Sequence, residues 1–181
     1  MPDIRLGETG HAEASRVAAR LGSEPIVAVY SSPLERARET AEPIAAALGL
    51  PLRISEALNE IDCGDWTGLT FDELHRDERW HGWNQSRTAG QAPGGESMRA
   101  VQDRVASCLQ GWREEHRGAA VVGVSHADVV KALVCRVLDL SLDRYDRFDV
   151  DPASITTVVV WEGGGKLLTL NEVPRAGGSG S

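Results

Sequence analysis

Long apolar runs are missing from these 181 residues. None approaches the roughly 18 residues that a membrane span needs, and the opening residues lack the pattern of a secretory signal, so neither is expected. Cysteine is scarce. Cys63, Cys108 and Cys135 are odd in number, scattered and without metal-ligand spacing, which argues against a disulfide framework and for reduced thiols in a cytoplasmic protein. Positive charge is short as well. Nineteen Lys and Arg against 27 Asp and Glu leave a formal net charge of −8, which excludes a general nucleic-acid or anionic-membrane binder. An anionic ligand then needs a local cluster of Arg and His working against the global field. The chain also has no internal repeat and no convincing metal cluster, so neither a metal nor another cofactor is expected. What remains is ordinary for one globular domain: 41% hydrophobic and 25% charged residues, in a length that supports a substantial core.

Helix and strand patterns alternate along the chain. Residues 12–21 read as a helix with Ala14, Val17, Ala18 and Leu21 on one face. Residues 26–31 read as a short buried strand, after which Pro33 opens an Ala-rich helix that ends near Gly49. A second strand is expected over residues 52–58 and a further helix from Ser97 to about Glu115. A strand that ends at His126 follows, then a helix through Leu138. Residues 156–161 and 166–170, around Gly163-Gly164-Gly165, make a hairpin. This rhythm predicts a mostly parallel, doubly wound α/β sheet with an antiparallel pair at the end. Residues 69–93 are Trp-rich without a clear period and form a lid or cap within a domain of residues 1–175. Residues 176–181, Ala-Gly-Gly-Ser-Gly-Ser, read as a flexible tail.

Three strand ends carry charge. His126 stands where an apolar strand runs into a helix, a place where open α/β sheets bind ligands and where helix N–H groups attract anions. It is either an anion ligand or a histidine that packs the turn. Arg36 falls in the first turn of a helix, where the dipole disfavours a cation by a few tenths of a kcal/mol. A bound oxyanion would offset that cost; pairing with Glu39 is the alternative. Glu60 directly follows the predicted second strand and is the best candidate acid/base, unless it is simply solvated. Gly123-Val124-Ser125-His126-Ala127 also resembles a nucleophile elbow, but a serine hydrolase of that type needs a histidine after the serine's acid partner, and none follows His126.

Taken together, these residues carry a family resemblance. Ser31-Ser32-Pro33-Leu34-Glu35-Arg36 with Thr40-Ala41 resembles the S-S-P-L-x-R-x-x-x-T-A segment of the histidine phosphatase superfamily, which includes phosphoglycerate mutases. Leu58-Asn59-Glu60 with Gly64-Asp65-Trp66-Thr67-Gly68 resembles its acid-carrying loop, and Pro93-Gly94-Gly95-Glu96-Ser97 its helix start. Val124-Ser125-His126-Ala127 resembles its second-histidine segment, with Ala127 where the family usually has Gly. The segment from Leu6 to Ala14 resembles its first helix, so the match spans nearly the whole chain in order. The family begins with a strand ending in Arg-His-Gly or Arg-His-Ala, whose histidine attacks phosphorus, and this sequence contains no such segment. The expectation is therefore a chain truncated at its N-terminus and impaired in catalysis. An interior strand would be lost and two facing sheet edges left unpaired.

The resemblance implies a three-layer α/β/α phosphoglycerate mutase-like fold and a metal-independent phosphomonoester hydrolase that works through a phosphohistidine. Arg36 and His126 would hold the non-bridging oxygens, and Glu60 would protonate the leaving alkoxide and then deprotonate water. Substrate contacts are expected from Arg36, His126 and Ala127, and from Trp83 and Arg87 in the cap. The ligand is a small phosphorylated substrate or inorganic phosphate, and dimer contacts are one way to cover the open edges. A non-catalytic phosphate-binding module and a mutase-type phosphotransferase are the alternatives. His11, His75, His81 and His116 read as solvated surface residues.

Overall fold

Strand β1 (Ile26–Ser31) sits in the middle of a three-stranded parallel sheet, and everything else is arranged around it. The structure is a computed structural model that describes residues 4–175; the predicted flexible tail lies outside the described residues. In chain order, α1 (Glu8–Leu21) precedes β1, and α2 (Glu35–Leu48) and β2 (Leu52–Ile54) follow it. Two short helices, α3 (Phe71–Leu74) and α4 (Glu78–Gln85), lead to α5 (Met98–Glu115), β3 (Ala120–Val124) and α6 (Ala127–Val137). The chain closes on β4 (Ile155–Trp161) and β5 (Gly164–Glu172).

Alternation along β1 divides the core. Val29 packs with Val17 and Ala18 of α1 and Ala41, Ile44 and Ala45 of α2. Its neighbours Ala28 and Tyr30 face the other way, onto Met98, Val101 and Val105 of α5 and Val129 and Ala132 of α6. A strand buried on both faces needs apolar side chains on both, as parallel sheets covered by helices require. The order is β2-β1-β3 with all pairs parallel, and β4-β5 form a separate antiparallel pair.

Most predicted elements are present, with local corrections. The second strand stops at Ile54, since it pairs only with residues 29–31 of β1; a 3-10 turn over Glu56–Leu58 then folds Leu58 into the core. Helix α1 begins at Glu8, four residues before the expected start. The segment read as lacking a period holds α3 and α4. Each is too short to show one, and Thr70 and Asp77 cap them through their side chains. Gly164 and Gly165 lie within β5, so the hairpin turn is tighter than the glycine run suggested.

Among the described residues, β3 pairs only with β1 and β4 only with β5. Val122 and Val124 share an apolar cluster with Ala153 and Ile155 at one end, and Gly118 borders a cavity with Val160 and Trp161 at the other. Two open edges invite association. We expect the chain to be marginally stable, with scattering that rises with concentration on heating. A sharp, reversible melt of a monomer above roughly 60 °C would overturn this expectation.

Candidate active site

The register of β1 against β3 places Ser31 opposite Val124, and the Ser32 N–H extends the ladder to the Val124 carbonyl (2.9 Å). Both strands turn into helices at this level. Arg36 rises from the first turn of α2, and His126 is the N-cap residue of α6, its backbone still extended. Arg36 Nη2 lies 3.2 Å from His126 Nδ1. Glu60 Oε2 lies 3.7 Å from that guanidinium nitrogen and 3.6 Å from His126 Nδ1. The structure therefore brings Arg36, Glu60 and His126 to one point, and Glu39 instead accepts from the Leu6 N–H.

Glu60 reaches this point along a loop held from outside. Arg104 of α5 donates to the carbonyls of Ala57 and Asn59, both at 2.7 Å, while its Nε pairs with Glu96 (3.0 Å). The loop also lies backbone against backbone on residues 93–96, with Asp65 N–H donating to Pro93 and Glu96 N–H to Asp62. A Cβ on Gly64 or Gly95 would fall inside the opposing main chain, and Gly64 has φ +51°. Only glycine permits that approach.

His126 is 7% exposed and neutral at pH 7. Burial, then the charges of Arg36 and Arg104, push its imidazole down to about 4. The hydrogen bonds agree with this. Arg36 points a donor at Nδ1, which must then be bare, so the Nε2–H donates to Ser32 Oγ at 2.8 Å. Glu60 moves the other way. Burial and the Asp128 charge raise its carboxyl, against the Ile61 N–H and the cations Arg36 and Arg104. Arg36 is a donor suited to an oxyanion, His126 spends its Nε2–H on the buried Ser32, and Glu60 holds its proton more tightly than a free carboxylate does.

The histidine phosphatase superfamily (branch 1) pattern matches residues 1–173. The chain belongs to the histidine phosphatase superfamily. It is 33% identical over 171 residues to phosphoserine phosphatase 1 of Hydrogenobacter thermophilus, covering 93% of this chain and 81% of that one. The structure of Bacillus stearothermophilus YhfR superposes with a TM-score of 0.86 at 30% identity, over 93% of this chain and 85% of that one. Mycobacterial glucosyl-3-phosphoglycerate phosphatase Rv2419c with inorganic phosphate gives 0.84 at 28%, over 97% and 93%.

Around the cluster of Arg36, Glu60 and His126, Ser32, Asn59 and Arg104 are residues that sequence reasoning missed. Ser32 sits in the quoted motif but carries no charge to mark it, and Arg104 lies on a helix whose period shows only its apolar face. Ser32 is fully buried, and Ser125 Oγ is committed to the Leu58 carbonyl (2.7 Å), so neither serine is open to a substrate. Ala127 opens α6 at an exposed position beside His126. The cap residues stand differently. Trp83 is 3% exposed and packs on Trp66 and Trp80, with Arg87 stacked 3.3 Å over its ring. Arg87 is buried between Trp83 and Tyr145, its Nη2 donating to Asn84 and Tyr145. The structure does not bring Trp83 and Arg87 to an open surface. His11, His75 and His81 are exposed as expected, but His116 is half-buried and bonded to the Tyr30 hydroxyl (2.8 Å). Stacking of Tyr30 on Trp112, one turn before His116 on α5, draws it inward.

Two outcomes follow. Gly95→Ala should cost about 2 kcal/mol or more by driving the two loops apart, read as a lower melting temperature with weakened phosphate binding; an unchanged melt would mean the loops part freely. The unfolded imidazole binds a proton near pH 6.5 and the folded one only near 4, so between these values the unfolded state holds more protons. Stability from His126 therefore rises with pH across that window, by up to about 3 kcal/mol, and is lost as pH falls. Glu60, whose carboxyl is raised, contributes with the opposite sign. Denaturant melts from pH 4 to 7 should lose the His126 slope in His126→Gln.

Proposed function

We propose that this chain carries the phosphate-binding and acid–base residues of a metal-independent phosphomonoester hydrolase. The observation that carries the reading is the convergence of Arg36, His126 and Glu60 within 3.2–3.7 Å where β1 and β3 run into their helices. In this reading the guanidinium of Arg36, the backbone N–H of Ala127 and His126, which takes up a proton on the Nδ1 edge facing Arg36 and Glu60 when phosphate binds, hold the non-bridging oxygens. Glu60 gives its proton to the leaving alkoxide as the phosphorus–oxygen bond breaks, and later takes one from the attacking water. Trp83 and Arg87 form the floor of the cap behind this site, and a direct contact with substrate requires the cap to shift. The three cysteines are free, which fits a reducing, cytoplasmic setting. The names of its relatives support a small phosphorylated substrate, phosphoserine and phosphoglycerate esters among them.

A phosphohistidine step needs a second imidazole in line with phosphorus. His11, His75, His81 and His116 lie on α1, on the cap and at the end of α5, away from His126. That observation favours a second reading, a module that binds phosphate without turning it over.

Inorganic phosphate titrated calorimetrically should bind. Arg36→Ala should weaken it on the order of tenfold to a hundredfold, the worth of one charge-assisted hydrogen bond, and Arg36→Lys should restore it only in part. Bound phosphate should also raise the His126 titration, followed by NMR. No phosphate binding would sink both readings. Turnover of p-nitrophenyl phosphate that disappears in His126→Ala would eliminate the binding-only reading.

A further inference from the structure

Arg87 is a buried cation whose hydrogen bonding is incomplete. The residue is 5% exposed, and its guanidinium lies between the rings of Trp83 (3.3 Å) and Tyr145 (4.4 Å). Nη2 is spent on Asn84 (2.9 Å) and the Tyr145 hydroxyl (2.8 Å), both neutral groups. Among the described residues, Nε and Nη1 are buried without a hydrogen-bond partner, and so is Nε1 of the Trp83 indole beneath them. A guanidinium held out of water in this way is costly, and an anion is the partner that completes it. Position ties the group to the phosphate site. Arg87 follows the end of α4, and Trp83 packs on Trp66, just beyond the loop that bears Glu60. On the other face Tyr145 reaches α6, whose Lys131 Nζ lies 5.3 Å over its ring. Asp128, in the first turn of α6, acts with its charge on both Glu60 and Arg87. Arg87 thus stands on the cap side of the cluster formed by Arg36, Glu60 and His126.

We propose that Arg87 is a specificity residue, which takes a carboxylate carried by the phosphorylated ligand when the cap shifts. That a phosphate ester carries this carboxylate rests on the phosphatase reading; the incomplete guanidinium does not. A carboxylate can accept from Nε or Nη1 of Arg87 and from the Trp83 indole N–H, groups that an uncharged chain end leaves unmet. Shape favours the same choice. The two stacked rings leave the guanidinium open only along its own plane, which a flat carboxylate suits better than a tetrahedral phosphate. Discrimination then follows from burial, because a ligand without the carboxylate keeps these donors dry and unpaired. The surrounding field works the other way. The chain has a formal net charge of −8, and Asp128 stands nearby. A preference for the more anionic of two esters must therefore come from a local cation.

The probes are phosphoserine and phosphoethanolamine, each titrated calorimetrically into the full chain. They share the phosphate ester and the ammonium and differ in the carboxylate alone. Phosphoserine should bind roughly tenfold more tightly or better, the worth of one charge-assisted hydrogen bond. Arg87→Met should bring the ratio of the two affinities to about one. A second measurement needs no variant. In the unaltered chain, the NMR signals of the Arg87 Nε–H and the Trp83 indole N–H should move with phosphoserine and stay in place with phosphoethanolamine. Equal affinities, equal movement of those signals, or a preference that survives Arg87→Met would overturn the proposal, the last assigning the carboxylate to another cation such as Lys131. Inorganic phosphate that binds while the two esters are not distinguished defeats this proposal alone. If neither phosphate nor either ester binds, the phosphatase reading falls and the proposal falls with it.

Discussion

The parallel pairing of β1 with β3 is the constraint on which the rest of this molecule depends. It sets Ser31 against Val124 and carries the ladder one residue further through Ser32. Two strand-to-helix turns therefore lie side by side. A slip of one residue would reverse the faces of β1, turning Val29 into the space shaped for Ala28 and Tyr30 against α5 and α6, and those two toward α1 and α2. The burial of those residues by two helical layers fixes the register, and the register fixes the distance between Arg36 and His126. Packing and site geometry are the same fact seen at two scales.

The site then combines charges that burial holds in unequal states. A buried imidazole beside a guanidinium stays neutral, and a carboxyl drawn from water near Asp128 holds its proton more tightly. Arg36 is the charge common to both. A phosphate dianion entering this cluster reverses the sign of the local field, favours imidazolium at His126 and draws Arg36 away from Nδ1. The loop bearing Glu60 is kept from collapsing onto the arginine by Arg104 and by the close backbone contact at Gly64 and Gly95. Orientation here comes largely from contacts to the loop's main chain, and the carboxylate keeps the Ile61 N–H on one oxygen and faces Arg36 and His126 with the other.

The sheet, by contrast, is divided. Among the described residues, three parallel strands and a hairpin share helices but no ladder hydrogen bonds. A continuous sheet would bury Val122, Val124 and Val159 fully, so the division costs apolar burial as well as hydrogen bonds.

The sequence by itself determined the local pieces. The apolar run of β1, the alternation in β4 and β5, the helix starts at α2, α5 and α6, and the motifs around Arg36, Glu60 and His126 were all legible, because strand and helix periods and turn residues act over a few positions. Tertiary structure decided what those pieces do together. Arg104 reaches the Glu60 loop from some 45 residues away in sequence, and no local pattern marks it. The length of β2 was set by what β1 offers it to pair with, the burial of Trp83 and Arg87 by stacking with Trp66 and Tyr145, and the inward turn of His116 by Tyr30. The protonation of His126 was least legible of all. Residue type promised a histidine that titrates near neutral pH, whereas desolvation and a neighbouring guanidinium, both products of the fold, hold it neutral.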